Sequence, residues 1–505
     1  MRSTFMGLET NKRGLYTQQS ALYTTGHNIS NANTLGYSRQ RVNMQATAGF
    51  PGVGLNTPTM PGFLGTGVEA GSIQRIRDSF VDQQYRQESN KLGYWESRSK
   101  SISQMEDILN EPSNYGMQKS LSVFWQSLND LAVNPDNGGA RKVVIQRGQA
   151  VADSFNYMYN SLTEIQNNIG KEQEVGTKDI NSLLQQIGEL NRQISEVEPN
   201  GYLPNDLYDS RDVLLDQLSQ YLPIELNYEP SGGRALHIAE GSVTVSLKMK
   251  NGATVSLVNG NQFAKLTTNP STLNPKNGVE GLSVELPGGG TQTIPHDELL
   301  DVGKLKSLMN SYGVEGANGP EGLYPDMLAK LDEMALAFAN KFNEIHGSGS
   351  DLNGDPGRDD FFVFKDNELT AGKITINADF EKDPSLVAAS DSKNGKEEGN
   401  GNIAKKLAGM QFTELIDGAT VQSYFQGIIG QLGVDGQQAE KLAFNTATLL
   451  GAVEHRRASI SSVSLDEEMT NMIQFQQAYN ASARMITVID ETLDKIINGM
   501  GVGGR

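Results

Sequence analysis

No cysteine occurs anywhere in the 505 residues. Its absence excludes a disulfide framework, thiolate metal ligands, thiol nucleophiles and cysteine-held iron–sulfur clusters. Aromatic residues are scarce, at 7 % with two tryptophans. No stretch approaches the ~20 consecutive apolar residues that a membrane-crossing helix needs. Positive charge is in deficit: 42 Lys and Arg stand against 60 Asp and Glu, a net charge of −18. Nucleic-acid binding needs clustered cations to neutralise phosphate, so we expect no nucleic-acid partner and no membrane partner. The first 25 residues also lack the apolar core of a conventional secretory signal peptide. Alone, these absences point to the cytoplasm. With 37 % hydrophobic residues the chain is too apolar for wholesale disorder, and its length corresponds to about three domains.

Catalytic patterns are lacking too. The five histidines (27, 237, 296, 346, 455) are scattered, with no His-Glu-x-x-His. Gly395-Lys396 falls short of a phosphate loop, because Ser390 stands where the upstream glycine belongs and Glu397 where Ser or Thr is needed. Asp351-Leu352-Asn353-Gly354-Asp355 opens like a calcium loop, yet Pro356 and Phe362 occupy the positions of the required Gly and Glu. We expect a solvated turn there. No catalytic, cofactor-binding or metal-binding residue is expected, and no cofactor.

What is present is a sequence of textures. Residues 1–40 and 462–505 read as terminal helices, and 41–80 as a turn-rich connector carrying Met60-Pro61-Gly62 and Gly65-Thr66-Gly67. Residues 81–222, 300–346 and 405–461 have helical texture; within them 139–198 contains no proline, long enough for a helix of roughly 80–90 Å. Trp95 and Trp125 read as core residues of this helical domain, and Arg456-Arg457 and Lys405-Lys406 as solvated helix faces. From Pro223 the period changes to that of strands, at 235–238, 242–247, 253–258 and 282–286, with Lys250-Asn251-Gly252 as a hairpin turn. These give a β domain over 223–299. A second β-rich outer module, 347–404, has Phe361 to Phe364 and Lys373 to Ile376 as strands. The fold class is therefore α+β and multidomain: terminal coiled-coil-like helices, a long-helix bundle and inserted antiparallel β modules.

The ends carry the most informative spacing. Leu465, Met472, Tyr479, Ile486, Leu493 and Met500 recur every seven residues, with Met469, Ala483 and Ile497 between them and Gln476 and Asp490 as polar exceptions. Leu8, Leu15, Leu22 and Ile29 also stand seven apart. Such stripes suit amphipathic helices packed on one domain. Their narrowness favours helices that pair with each other and with copies from neighbouring subunits, since a lone helix with so little apolar face cannot offset its ordering entropy. Between the N-terminal stripe and the connector lies His27-Asn28-Ile29-Ser30-Asn31-Ala32-Asn33-Thr34-Leu35-Gly36-Tyr37-Ser38-Arg39-Gln40. Asn28, Asn31, Asn33, Gly36 and Tyr37 are its turn-forming residues. Asparagine closes local side-chain turns and tolerates left-handed backbone, so Asn31, Asn33 and Gly36 should end the first helix and redirect the chain.

That segment resembles a signature shared by the axial proteins of the bacterial flagellum: rod, hook and hook-associated proteins. Phe475-Gln476-Gln477-Ala478-Tyr479-Asn480-Ala481-Ser482-Ala483-Arg484, running into Ile489 to Asp494, resembles the C-terminal partner signature. Gly36-Tyr37-Ser38-Arg39-Gln40, Tyr208-Asp209-Ser210-Arg211-Asp212 and Asp351-Leu352-Asn353-Gly354 resemble the hook-associated members most. Leu35 stands where many relatives have proline. The resemblance implies a structural, non-enzymatic subunit that joins hook to filament and allows filament assembly. Its partners would be copies of itself in a ring or helical array, hook protein, a second hook–filament junction protein, a cytoplasmic export chaperone and the flagellar type III export apparatus. It also implies secretion to the flagellum after a cytoplasmic stage. The alternatives are a distal rod or hook protein, or a secreted adhesin or enzyme carried on an axial scaffold. The residues expected to form the assembly interface are the ten heptad positions of the two stripes.

Overall fold

The computed structural model describes residues 5–50, 65–109, 116–270, 278–317, 319–357, 360–392 and 397–499. The chain starts in helix α1 (Met6–Ser30) and returns as strands β1 (Gln40–Ala46) and β2 (Val68–Arg75). These two pair antiparallel, Gln40 opposite Arg75, with a bulge between Asn43 and Met44. The segment expected as a turn-rich connector is thus, where described, a hairpin laid on α1. Its strands carry too few alternating apolar residues to be recognised in isolation, and the helix supplies the surface they need.

A bundle follows: α2 (Ser79–Leu109), α3 (Met117–Val133), α4 (Gly138–Val197) and α5 (Asn205–Tyr221). The Asn137 carboxamide accepts from the Gly139 and Ala140 amides and starts α4. At 60 residues, α4 spans about 90 Å. It serves two cores in succession. Its first half contributes Val144, Val151, Phe155, Leu162 and Ile169 to one, and its second half Ile180, Leu184 and Ile187 to the other.

The second core belongs to the β domain. Strands β3 (Ile224–Glu229), β4 (Ser242–Lys248), β5 (Thr254–Asn259) and β6 (Gln262–Phe263) form one antiparallel sheet in sequence order. The first expected strand, 235–238, is turn; Ile224–Glu229 pairs with β4 in its place. Strands β7 (Lys265–Pro270), β8 (Val279–Glu285) and β9 (Thr291–Pro295) start the second sheet. After α6 (Lys304–Tyr312), β10 (Val314–Gly316) and β11 (Gly319–Glu321) complete it, β10 lying parallel to β8 through Val314 and Val279. The β fold therefore reaches beyond residue 299, because a short strand can pair far from its sequence neighbours.

Helix α7 (Leu323–Gly347) returns to the bundle and brings Phe338 and Phe342 against Phe124, Trp125 and Phe155. Residues 347–404, expected as a second β-rich outer module, hold one two-stranded ribbon, β12 (Phe362–Phe364) with β13 (Ile374–Ile376), the short α8 (Ala378–Lys382) and the start of α9 (Asn402–Gly409). Phe361, Phe362, Ile374 and Phe380 join the bundle core, with ring centroids 5.0 Å apart for Phe338 and Phe362. A segment this short cannot bury a core of its own, so it covers the helices. Asp351 is buried, not solvated, and its Oδ1 accepts from the Asn353 and Asp355 amides, each at 2.8 Å. Helix α10 (Val421–Ser461), started by a Thr420–Ser423 capping box, packs along α2, and α11 (Leu465–Gly499) runs back beside α1. Among the described residues no helix is long and apolar enough to cross a membrane.

Candidate assembly surface and its joint

Helices α1 and α11 lie antiparallel. A Cβ on Gly7 would stand 3.4 Å from Ile489 Cδ1, and one on Gly14 would stand 3.4 Å from Ser482 Oγ. The positions in direct register are thus small residues seven apart, one place before the leucines. Leu8, Leu15, Leu22 and Ile29 flank this line and are half-buried, as are Met472, Tyr479, Ile486 and Leu493. Leu465 is 48 % exposed at the start of α11, and Met500 lies outside the described residues. The leucine series therefore flanks the line of facing residues, and at Gly7 and Gly14 the facing helix is met through side chains at ordinary van der Waals distance. The adjacent face of α1 rests on the hairpin, where Thr17 Oγ1 donates to the Val68 carbonyl at 3.2 Å. Outward, the pair leaves apolar side chains in solvent, including Tyr16, Tyr23, Met469, Ile473, Met485 and Val488.

The asparagine segment closes the end of α1. Asn31 donates through Nδ2 to the His27 carbonyl at 3.0 Å, capping the helix with φ −103°, not in the left-handed region. Asn33 is exposed. Of these turn residues only Gly36 takes positive φ, +79°. Asn28 is buried and works differently from the others: its Oδ1 accepts from Tyr37 Oη at 2.8 Å and from the Gln40 amide at 3.0 Å, and its Nδ2 donates to the Gln40 carbonyl at 2.9 Å. Burial, with Asp206, Asp209 and Glu468 nearby, holds the Tyr37 hydroxyl well above its usual range, so it stays a donor. Arg39 then reaches α11: Nε donates to Glu468 at 2.7 Å, and its two terminal nitrogens to Glu467 at 2.9 and 2.8 Å.

Behind this lies an ionic cluster whose arginines share no periodicity in the sequence. On α5, Asp206, Asp209, Asp212 and Asp216 follow at spacings of three, three and four, which places them along one face. Arg75 at the end of the hairpin donates to Asp209 at 2.7 Å and Asp212 at 2.9 Å, and also meets Glu240. Arg77 bridges Asp212 at 2.7 Å and Asp82 at 2.8 Å, while Arg86 reaches Asp216 at 2.8 Å and Asp212 at 3.1 Å. Arg457, expected on a solvated helix face, instead joins Asp82 and Asp216, each at 2.7 Å, and lies over the Tyr85 ring. Arg456 is exposed. Burial opposes ionisation of Asp212, but Arg77, Arg75, Arg86 and Arg211 outweigh it and hold the carboxyl well below the usual range. Asp209 is pushed up by burial, against the pull of Arg75 and the Ser38 amide. The acidic spacing was legible in the sequence. Its arginine partners, from four separate segments, were not.

Among the described residues no group of acids and histidines is arranged to hold a metal ion. The region consists of paired helices at the ends and a charged joint to the body. Residues 457–499 match the family described as "Flagellar basal body rod FlgEFG protein C-terminal". Residues 102–362, more than half of the chain, match "Flagellar hook-associated protein FlgK helical domain". The chain is 45 % identical to flagellar hook-associated protein 1 of Bacillus subtilis over the whole of both chains. It is 26 % identical to that of Escherichia coli, over 96 % of this chain and 98 % of the relative. The fold matches the flagellar hook junction protein FlgK from Burkholderia pseudomallei with a TM-score of 0.62 at 14 % identity, covering 76 % of this chain and all of that one. The chain belongs to the flagellar hook-associated protein 1 family and is a structural component of the flagellum.

Proposed function

We propose that this chain is the subunit that joins hook to filament, and that its terminal helix pair is the surface through which copies assemble. The observation that carries the reading is the α1–α11 pair: two antiparallel helices with half-buried leucines along their seam and apolar side chains left on the outer face. A surface of that kind marks a protein–protein contact. The subunit meets hook protein on one side and a second junction protein on the other, so its contacts are heterologous, and heterologous contacts build rings or helical arrays. The division at 1–40 and 462–505 is functional as well as structural: the ends assemble while the bundle and β domain project outward. The chain performs no catalysis. It leaves the cytoplasm through the flagellar type III export apparatus, and an export chaperone covers the C-terminal helix before that. Apolar helix faces are the chemistry such a chaperone recognises.

Electron microscopy of cells lacking the protein tests this reading. Hooks without attached filaments are expected. Cells with normal filaments would overturn it, and cells with rods but no hooks would move the subunit to an earlier position in the axis.

A further inference from the structure

Neither apolar core contains a described residue of α1, β1, β2 or α11. Apart from the close packing of Gly36 on Val213, the terminal unit meets α5 through directional contacts. On its side stand Ser38, Gln40 and Arg75; on the body's side stand Asn205, Asp206, Asp209 and Asp212 of α5. The Ser38 amide donates to Asp209 Oδ2 at 3.0 Å, and Gln40 Nε2 donates to Asp206 at 3.2 Å. Asn205 Nδ2 donates to the Ile73 carbonyl at 3.0 Å. Arg75, with 4 % of its side chain exposed, donates through Nη1 to both Asp209 and Asp212 and through Nη2 to Glu240. Asp212 is also gripped from the body by Arg77 and Arg86, so the carboxylate that receives the terminal unit is itself fixed.

Apolar contact is non-directional and tolerates sliding, whereas forked, charge-assisted hydrogen bonds accept one geometry. Buried ion pairs also cost desolvation, which makes them a poor choice where stability alone is wanted. We infer that Asp209 and Asp212 are positioning residues for assembly: they fix the angle at which the body presents the terminal helix pair. This rests on the reading of that pair as the assembly surface. Two units meet here at a polar joint, and a subunit that enters an array must offer its helices at one tilt. Asp209 reads the terminal unit twice, through the Ser38 amide and through Arg75. Asp212 anchors the same arginine to the bundle.

The absence of cysteine makes the test clean. Spin labels are placed on exposed sites as Asn160→Cys in the body and Gln477→Cys on α11, and their distance distribution is measured in the free full-length chain. Two control pairs report within one unit each: Gln19→Cys with Gln477→Cys, and Asn160→Cys with Gln438→Cys. The native joint should give a narrow distribution across 160–477. Combining Asp209→Asn with Asp212→Asn should broaden it at least twofold and leave both controls unchanged. Arg75→Lys, which keeps the charge and loses the fork, should broaden it as well. Incorporation of the double variant into flagella should fall at least tenfold. An unchanged 160–477 distribution, or broadening of all three pairs together, would overturn the inference, and so would normal incorporation of a broadened variant. The distances are read on the free chain, so they stand apart from the assembly reading. Normal incorporation of Ile486→Asp would defeat that reading by itself.

Discussion

Gly36 and Val213 touch so closely that a Cβ on the glycine would lie 2.1 Å from Val213 Cγ2. The turn at the end of the asparagine segment docks there on α5, four residues beyond Asp209 and one beyond Asp212. At φ +79° a side chain is strained even in open space.

Gly36→Ala should therefore cost about 2–4 kcal/mol: roughly 1–2 for left-handed backbone and the rest for overpacking against Val213. Guanidinium unfolding gives the number. Adding Val213→Ala should recover the packing part and leave the backbone part. Full recovery would show that no backbone strain is present.

Asp212→Ala leaves Arg75, Arg77 and Arg86 without the carboxylate they share. Removing one partner of a buried ionic cluster costs about 3–5 kcal/mol, since charges remain buried and unpaired. A loss below about 1 kcal/mol in chemical denaturation would mean that solvent takes over the role of the carboxylate.

Asp332 should make the bundle respond to pH. Burial pushes its carboxyl up to about 6, against the Ala371 amide that donates to Oδ1 at 2.6 Å. A carboxyl whose folded value lies above its unfolded value of about 4 weakens the fold when ionised. That penalty is complete above pH 6 and is relieved as pH falls toward 4. Asp332→Asn keeps the acceptor and removes the charge. It should stabilise the protein by about 1 kcal/mol at pH 8, a modest gain because solvent still screens a half-buried group. The gain should vanish near pH 4. Thermal melts at pH 8, 6 and 4 check this, and a gain that persists at pH 4 would contradict it.

The terminal helices should exchange their amides faster than the bundle in the free chain. Residues 6–30 and 465–499 share one seam and contribute nothing to either apolar core, whereas α3 and the first half of α4 lie in the largest one. Local opening follows the density of buried apolar contact. Hydrogen exchange by mass spectrometry should show at least a tenfold difference in rate. Equal protection would mean that the terminal unit is stable without neighbours.

Ile486→Asp and Leu493→Asp place a charge on the half-buried side of α11. Both should block incorporation into the flagellum while the body melts as before. Unimpaired incorporation of both would remove the seam from the assembly mechanism.

The sequence by itself determined the helices, five of the thirteen described strands (β4, β5, β8, β12 and β13) and the family. These are local: heptad spacing places Met472 to Leu493 on one stripe, the proline-free run from 139 to 198 predicts α4, and the two terminal signatures are contiguous residues. Tertiary structure alone decided which residues of α1 and α11 face each other, Gly7 opposite Ile489 and Gly14 opposite Ser482, positions that no hydrophobic pattern marks. It also decided the fate of residues 347–404, which cover the bundle because they have too few apolar residues for a core of their own. Above all it decided the joint. The composition shows a shortage of positive charge, which argues against a nucleic-acid partner. Five of those few arginines (75, 77, 86, 211 and 457) converge on the acids around α5. Charge pairing has no periodicity in sequence; it is fixed where separate segments meet, and only the folded chain brings them together.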